Sequence, residues 1–153
     1  MKNKICTFFG HRQIEDKYNL EQKISLLVDD LMKDNFQIFL FGGFGEFDEL
    51  CHKVVSQKKK LYPNLIRIYC LIDEKHLLPN KRPKYLLDND YENFVYYEPD
   101  FDYWYKRIYF RNCEMIKHSN FVVFFAEDKE NSGAYKMLKF AKKIKKPFIN
   151  LKV

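Results

Sequence analysis

The stretch from Gln37 to Val55, QIFLFGGFGEFDELCHKVV, sets three of the chain's five glycines, Gly42, Gly43 and Gly45, within four positions. Ahead of them the run Gln37 to Phe41 is a strand candidate. After them Phe47, Leu50, Cys51, Val54 and Val55 recur at helical spacing, so a helix begins close to Gly45. A strand, a glycine turn and a helix in that order form half of a βαβ unit. Glycine allows positive φ and removes the Cβ that would hold a phosphate or ribose away. The helix start adds unpaired N–H groups and the positive end of a dipole. Two uses stay open: a tight turn with no ligand, or the seat of an anion. The spacing is neither GxGxxG nor a Walker loop, because no Gly-Lys-Ser/Thr follows.

Working outward, the same alternation repeats. Ile5 to Phe9 is a short apolar run ahead of the stripe Leu20, Ile24, Leu27, Val28 and Leu31. Leu65 to Ile72 reads as a third strand, apolar except for Arg67. From residue 73 to residue 102 the pattern dissolves around Pro79, Pro83 and Pro99 into an irregular insertion, with a short strand at Phe94 to Tyr97. Such insertions often cover sites. Helical character returns from about Asp102 to His118. Phe121 to Phe125 is a strand, Ala134, Met137, Leu138 and Ala141 mark a helix, and Phe148 to Leu151 is a last strand. Strands apolar on both faces, separated by amphipathic helices, indicate an α/β fold. The expectation is one domain with a doubly wound, mostly parallel, Rossmann-like sheet of five to six strands and helices on both faces.

The bulk composition agrees. At 153 residues, 46% hydrophobic and 18% aromatic, the chain can bury a sizeable core. No segment nears the roughly 18 apolar residues of a membrane helix, and the amino end lacks a secretory apolar run, so a cytoplasmic protein is expected. Cys6, Cys51, Cys70 and Cys113 are scattered through apolar settings and read as buried free thiols rather than metal ligands. The net charge of +6 gathers at Lys58-Lys59-Lys60 and at Lys142, Lys143, Lys145 and Lys146. Both sets fall at expected helix C-termini, where cations complement the dipole.

In such a sheet, ligands sit beyond the carboxyl ends of the strands, so three post-strand segments converge. They are Phe9-Gly10-His11-Arg12, the glycine segment with Glu46, Asp48 and Glu49, and the segment ending in Asn131-Ser132-Gly133-Ala134. Arg12 suits a phosphate through its guanidinium. Carboxylates in the first helical turn suit the dipole, or else ribose hydroxyls. Arg107 and Arg111 lie at i, i+4 on one helix face, with Asn112 beside them and Tyr105 and Tyr109 flanking. Ser132 and Gly133 form a second small-residue helix start, suited to capping or to an anion. No Ser-His-Asp arrangement and no metal cluster is legible.

The combination CTFFGHR (Cys6 to Arg12), GGxGxFD (Gly42 to Asp48), YxRNxxM (Tyr109 to Met115) and SGAYKMLKFAKKIKKPFINL (Ser132 to Leu151) resembles the SLOG superfamily, and within it the small stand-alone bacterial branch related to YpsA. The resemblance implies a Rossmann-like nucleotide-binding domain. That superfamily includes LOG-type phosphoribohydrolases, DprA-type proteins that bind single-stranded DNA, and sensors of nucleotide signals. Against the LOG signature PGGxGTxxE, Gly42, Gly43, Gly45 and Glu49 match, whereas Phe41 replaces the proline and Glu46 the threonine. In the closer branch the acid after the turn is Asp48, which the resemblance makes a ribose contact.

Three functions follow as expectations. The leading one is binding or sensing of a nucleotide or nucleotide-derived ligand by Gly10, His11, Arg12, Gly42, Gly43, Gly45, Glu46, Asp48, Arg107, Arg111, Asn112, Ser132 and Gly133. The second is hydrolysis of an N-glycosidic bond in a nucleoside monophosphate, with Glu46 or Glu49 activating water. The third is single-stranded nucleic-acid binding through basic and tyrosine-rich surface. No cofactor is called for beyond the nucleotide ligand itself, and a homo-oligomer is compatible with the sequence.

Overall fold

In the computed structural model, residues 3–43, 45–86, 88–99, 104–129 and 132–152 are described, the side chains at 88 and 104 excepted. Six strands are β1 (Lys4–Gly10), β2 (Phe36–Phe41), β3 (Ile66–Leu71), β4 (Asn93–Tyr96), β5 (Phe121–Phe125) and β6 (Phe148–Asn150). Four helices are α1 (Lys17–Lys33), α2 (Glu46–Leu61), α3 (Trp104–Lys117) and α4 (Gly133–Lys143). The strands form one sheet in the order β4-β3-β2-β1-β5-β6. Every pairing is parallel.

That order explains the helix placement. From β1 the chain steps outward through β2, β3 and β4, then returns to the other side of β1 for β5 and β6. Right-handed crossovers in opposite directions place their helices on opposite faces. Accordingly α1 and α2 bury Leu20, Ile24, Val28, Phe47, Cys51, Val54 and Val55 against Cys6, Phe8, Phe39 and Phe41 on one face. On the other, Cys113, Ile116, Met137, Leu138 and Ala141 meet Val122 and Phe124, and Met115 meets Leu40 and Cys70. Neighbouring strand residues thus serve different cores, as the pleat requires. Leu27 of the α1 stripe is only partly buried at the edge of its cluster. All four cysteines are free and buried.

The insertion after β3 contains 3-10 turns at Glu74–Leu77, Pro79–Lys81 and Asp88–Asp90, then β4. One side chain fastens its end. Arg67, 8% exposed, donates from NH2 to the Asn89 carbonyl at 2.9 Å and to Glu92 Oε2 at 2.8 Å. Its NH1 reaches Ser56 Oγ at 3.0 Å and its Nε reaches Glu92 Oε1 at 3.2 Å. The charge that interrupts the third apolar run is therefore a clamp between β3, α2 and the insertion. At α2, Glu46, Asp48 and Glu49 occupy the first turn and Lys58, Lys59 and Lys60 the last, both favourable to the helix dipole.

Candidate functional site

Strand order reverses at β1, between β2 and β5, and a cavity of about 550 Å³ opens there at the carboxyl ends of the strands. Its apolar floor includes Phe9, Ile108 and Met137. Its polar lining includes His11, Arg12, Asp48, Arg111, Asn112 and Ser132. Of the residues expected to bind a ligand, Gly10, Gly42 and Gly133 also line it. Gly43, Gly45, Glu46, Glu49 and Arg107 are not among the lining residues. Neither are the described residues of the insertion, which sits instead along the outer edge of the sheet. Asn131 lies outside the described residues.

The glycine turn is closed by the protein's own groups. The Gly43 N–H donates to the Asp48 carboxylate. The first amides of α2 are also used: Glu46 N–H donates to the Arg12 carbonyl at 2.9 Å and Phe47 N–H to the His11 carbonyl at 3.4 Å. Asp48 is 7% exposed, so a carboxylate occupies the place an anion would need. Each glycine admits a neighbour rather than a ligand. A Cβ on Gly42 would lie 2.6 Å from Arg111 NH2, one on Gly43 2.5 Å from the Tyr69 ring, and one on Gly45 2.6 Å from the Arg12 Cα. Gly43 and Gly45 also have φ of +76° and +91°, a region costly for other residues. Glu46 pairs with Lys17, and Glu49 is exposed on the outer side of α2.

Arg111, 3% exposed, braces this turn from α3. Its NH1 donates to the carbonyls of Gly42 at 3.1 Å and Cys70 at 2.9 Å. Its Nε and NH2 donate to Asn112 Oδ1 at 3.2 and 2.9 Å. Tyr69 OH also donates to the Gly42 carbonyl, at 3.0 Å. Burial pushes the Tyr69 hydroxyl up to about 12, so it stays a donor. Arg107, half-buried, belongs elsewhere: its charge acts on Tyr96 of β4.

The opposite rim is built differently. Ser132 caps α4, its Oγ accepting from the Tyr135 N–H at 3.3 Å. Among the described residues no acceptor engages the amides of Gly133 and Ala134. A Cβ on Gly133 would meet nothing within 4 Å. His11 Nε2 accepts the Glu127 N–H at 2.8 Å, which leaves the ring proton on Nδ1. Burial holds the His11 pKa below its ordinary value, against the opposing pull of Glu127. Asn150 fixes the start of the post-β5 segment, accepting from the Ala126 N–H at 3.1 Å and donating to its carbonyl at 2.9 Å.

Sequence reasoning did not mark Tyr69 or Asn150. Their signal was slight: a polar-tipped residue at or near the carboxyl end of an apolar strand. It also passed over Ile108 and Met137 as lining residues, because periodicity assigns such positions to the core. Among the described residues there is no group of three or more His, Cys, Asp or Glu side chains suited to a metal. Nor is any described helix long and apolar enough to cross a membrane.

No protein-family model matches the sequence, and a search of curated proteins gives no match. The fold does have solved counterparts. One is DNA processing protein A from Helicobacter pylori, a structure reported for its single-stranded DNA binding mode, with a TM-score of 0.61 and 18% identity. The match covers 94% of this chain and 63% of that one. This chain therefore has the Rossmann-like α/β fold of that protein.

Proposed function

We propose that the protein binds a nucleotide or nucleotide-derived ligand in the cavity at the switch point, as a member of the SLOG superfamily close to its YpsA-like branch. The observation that carries this reading is the cavity's position and lining. It lies where doubly wound sheets take their ligands, and it offers an apolar floor under Arg12, the donor ends of His11 and Asn112, and the open start of α4. An apolar surface suits a base, and converging donors suit phosphate. Anion contact is assigned to the α4 side, since the amides of the glycine turn serve the fold. Asp48, the one carboxylate among the described lining residues, supports a contact to a ligand hydroxyl.

The test is thermal stabilisation by a panel of nucleoside mono-, di- and triphosphates. At least one should raise Tm in a saturable way. Gly133→Val should abolish the rise while leaving the unliganded Tm within a degree or two, because its side chain enters open space. A panel that leaves wild-type Tm unmoved removes the proposal. Placement of Glu46 in an ion pair and Glu49 outside the cavity gives the hydrolase reading no support in this geometry.

A second reading rests on a different face. A groove of about 830 Å³ between α3 and α4 is lined by Tyr105, Tyr109, Phe140, Lys106, Lys136, Lys139 and Lys143, with no acidic residue among the described lining residues. Tyr105 is 67% and Tyr109 46% exposed, as stacking on bases requires. Together with the fold shared with a single-stranded DNA-binding protein, this favours single-stranded nucleic acid there. Such binding would weaken steeply with salt, whereas nucleotide binding in the cavity would depend on it far less.

A further inference from the structure

Two guanidinium N–H groups of Arg111, Nε and NH2, converge on one side-chain atom of Asn112 at 3.2 and 2.9 Å. An atom that receives two donors must be the amide oxygen, so the Asn112 side chain is fixed in one of its two flips. Its NH2 group is thereby turned away from Arg111. Among the described residues no acceptor engages that Nδ2. Asn112 is half-buried and lines the cavity beside Ile108 and Arg111. Arg111 is itself held by the Gly42 and Cys70 carbonyls, so the arrangement is rigid back to β2 and β3.

From this geometry we infer that Asn112 is the specificity-determining donor of the cavity, oriented by Arg111 to read a hydrogen-bond acceptor on the ligand, and that Arg111 is a positioning residue rather than a ligand contact. The inference rests on the proposed nucleotide reading and adds a polarity to it. The other donors of the rim point the same way. His11 carries its proton on Nδ1, Arg12 is a cation, and Ser132 Oγ already accepts from Tyr135, which leaves its hydroxyl hydrogen to donate. Among the described lining residues only Asp48 opposes them, and it already accepts from Gly43. The ligand that fits is rich in acceptors on the α3 side: a base keto oxygen, an unprotonated ring nitrogen, or a phosphate oxygen.

The decisive variant is Asn112→Asp. It keeps one oxygen for Arg111, so the brace survives, but it replaces the presented NH2 by a second acceptor. Binding would be measured by calorimetry for UMP, GMP, CMP and AMP, for the matching nucleosides, and for inorganic phosphate, with wild type and variant side by side. Expected is a roughly ten- to hundredfold weaker Kd for whichever nucleotide wild type binds, with Tm unchanged or higher. If the matching nucleoside is weakened too, Asn112 reads the base; if only phosphate-bearing probes are weakened, it reads phosphate. Equal affinities in variant and wild type overturn the inference and leave nucleotide binding intact. Wild-type protein that binds none of the probes overturns both.

Discussion

Two helix starts face the same cavity region and are built in opposite ways. At α2, three glycines and a tight turn look made for an anion, yet Asp48 and the carbonyls of His11 and Arg12 take the amides. At α4, one serine and one glycine leave the first amides without an acceptor among the described residues, and leave a space beside Gly133. The difference teaches that glycine density measures how closely chain segments approach one another, not whether a ligand is present. At α2 the approaching segments are Arg111, Tyr69 and Arg12, all from this chain.

The sharpest way to break the contrast is valine at each glycine. Gly45→Val combines positive φ with a collision against Arg12 main chain, which cannot swing aside. A loss of about 3 kcal/mol or more, or failure to fold, is expected in urea unfolding. Asp48→Ala should come next, costing about 1–3 kcal/mol because the Gly43 N–H loses its acceptor. The same variant clears the carboxylate from α2, so inorganic phosphate should raise its Tm more than it raises that of wild type. An identical phosphate response in both proteins would show that the carboxylate is not what closes that end.

A smaller effect belongs to His11. Its folded pKa lies below the unfolded value, so the unfolded chain binds the extra proton first. The contribution is complete above an unfolded pKa of about 6.5 and fades as pH falls below it. Between pH 7.5 and 5.5 wild type should lose more Tm than His11→Gln, whose amide oxygen still accepts from Glu127 at either pH. His52, also held low by burial, is present in both proteins and cancels. Smallest of all is Gly133→Val, expected to change stability by less than about 0.5 kcal/mol. A large loss there would mean that the two helix starts are not so different.

The architecture was legible because hydrophobic period reports directly on burial. Phe121–Phe125 runs as read, and the other strands end within a residue or two of their apolar runs. The α2 stripe Phe47, Leu50, Cys51, Val54 and Val55 is buried throughout. The site was legible only as a meeting of segments. Which amides stay open depends on long-range partners such as the His11 and Arg12 carbonyls, and spacing carries no trace of them. Arg107 and Arg111 illustrate the limit. Helical periodicity puts them on one face, but only Arg111 reaches the cavity, while Arg107 acts toward β4. Arg67 was visible as an interruption and not as a clamp, because Glu92 and Asn89 are more than 20 residues away in sequence.

That clamp has a mechanical corollary. The β3-to-β4 crossover, ordinarily carried by a helix, is here a strap of short turns. One end leaves the sheet at Leu71 and the other is buckled by Arg67 to the strand's starting end, where Glu92 N–H also meets the Arg67 carbonyl at 2.8 Å. A nick in the middle of the strap, near Leu77 and Leu78, would leave both halves fastened, one by its strand and the other by the buckle. The protein should therefore survive being cut there as a non-covalent pair of fragments, with the cavity between β2 and β5 undisturbed.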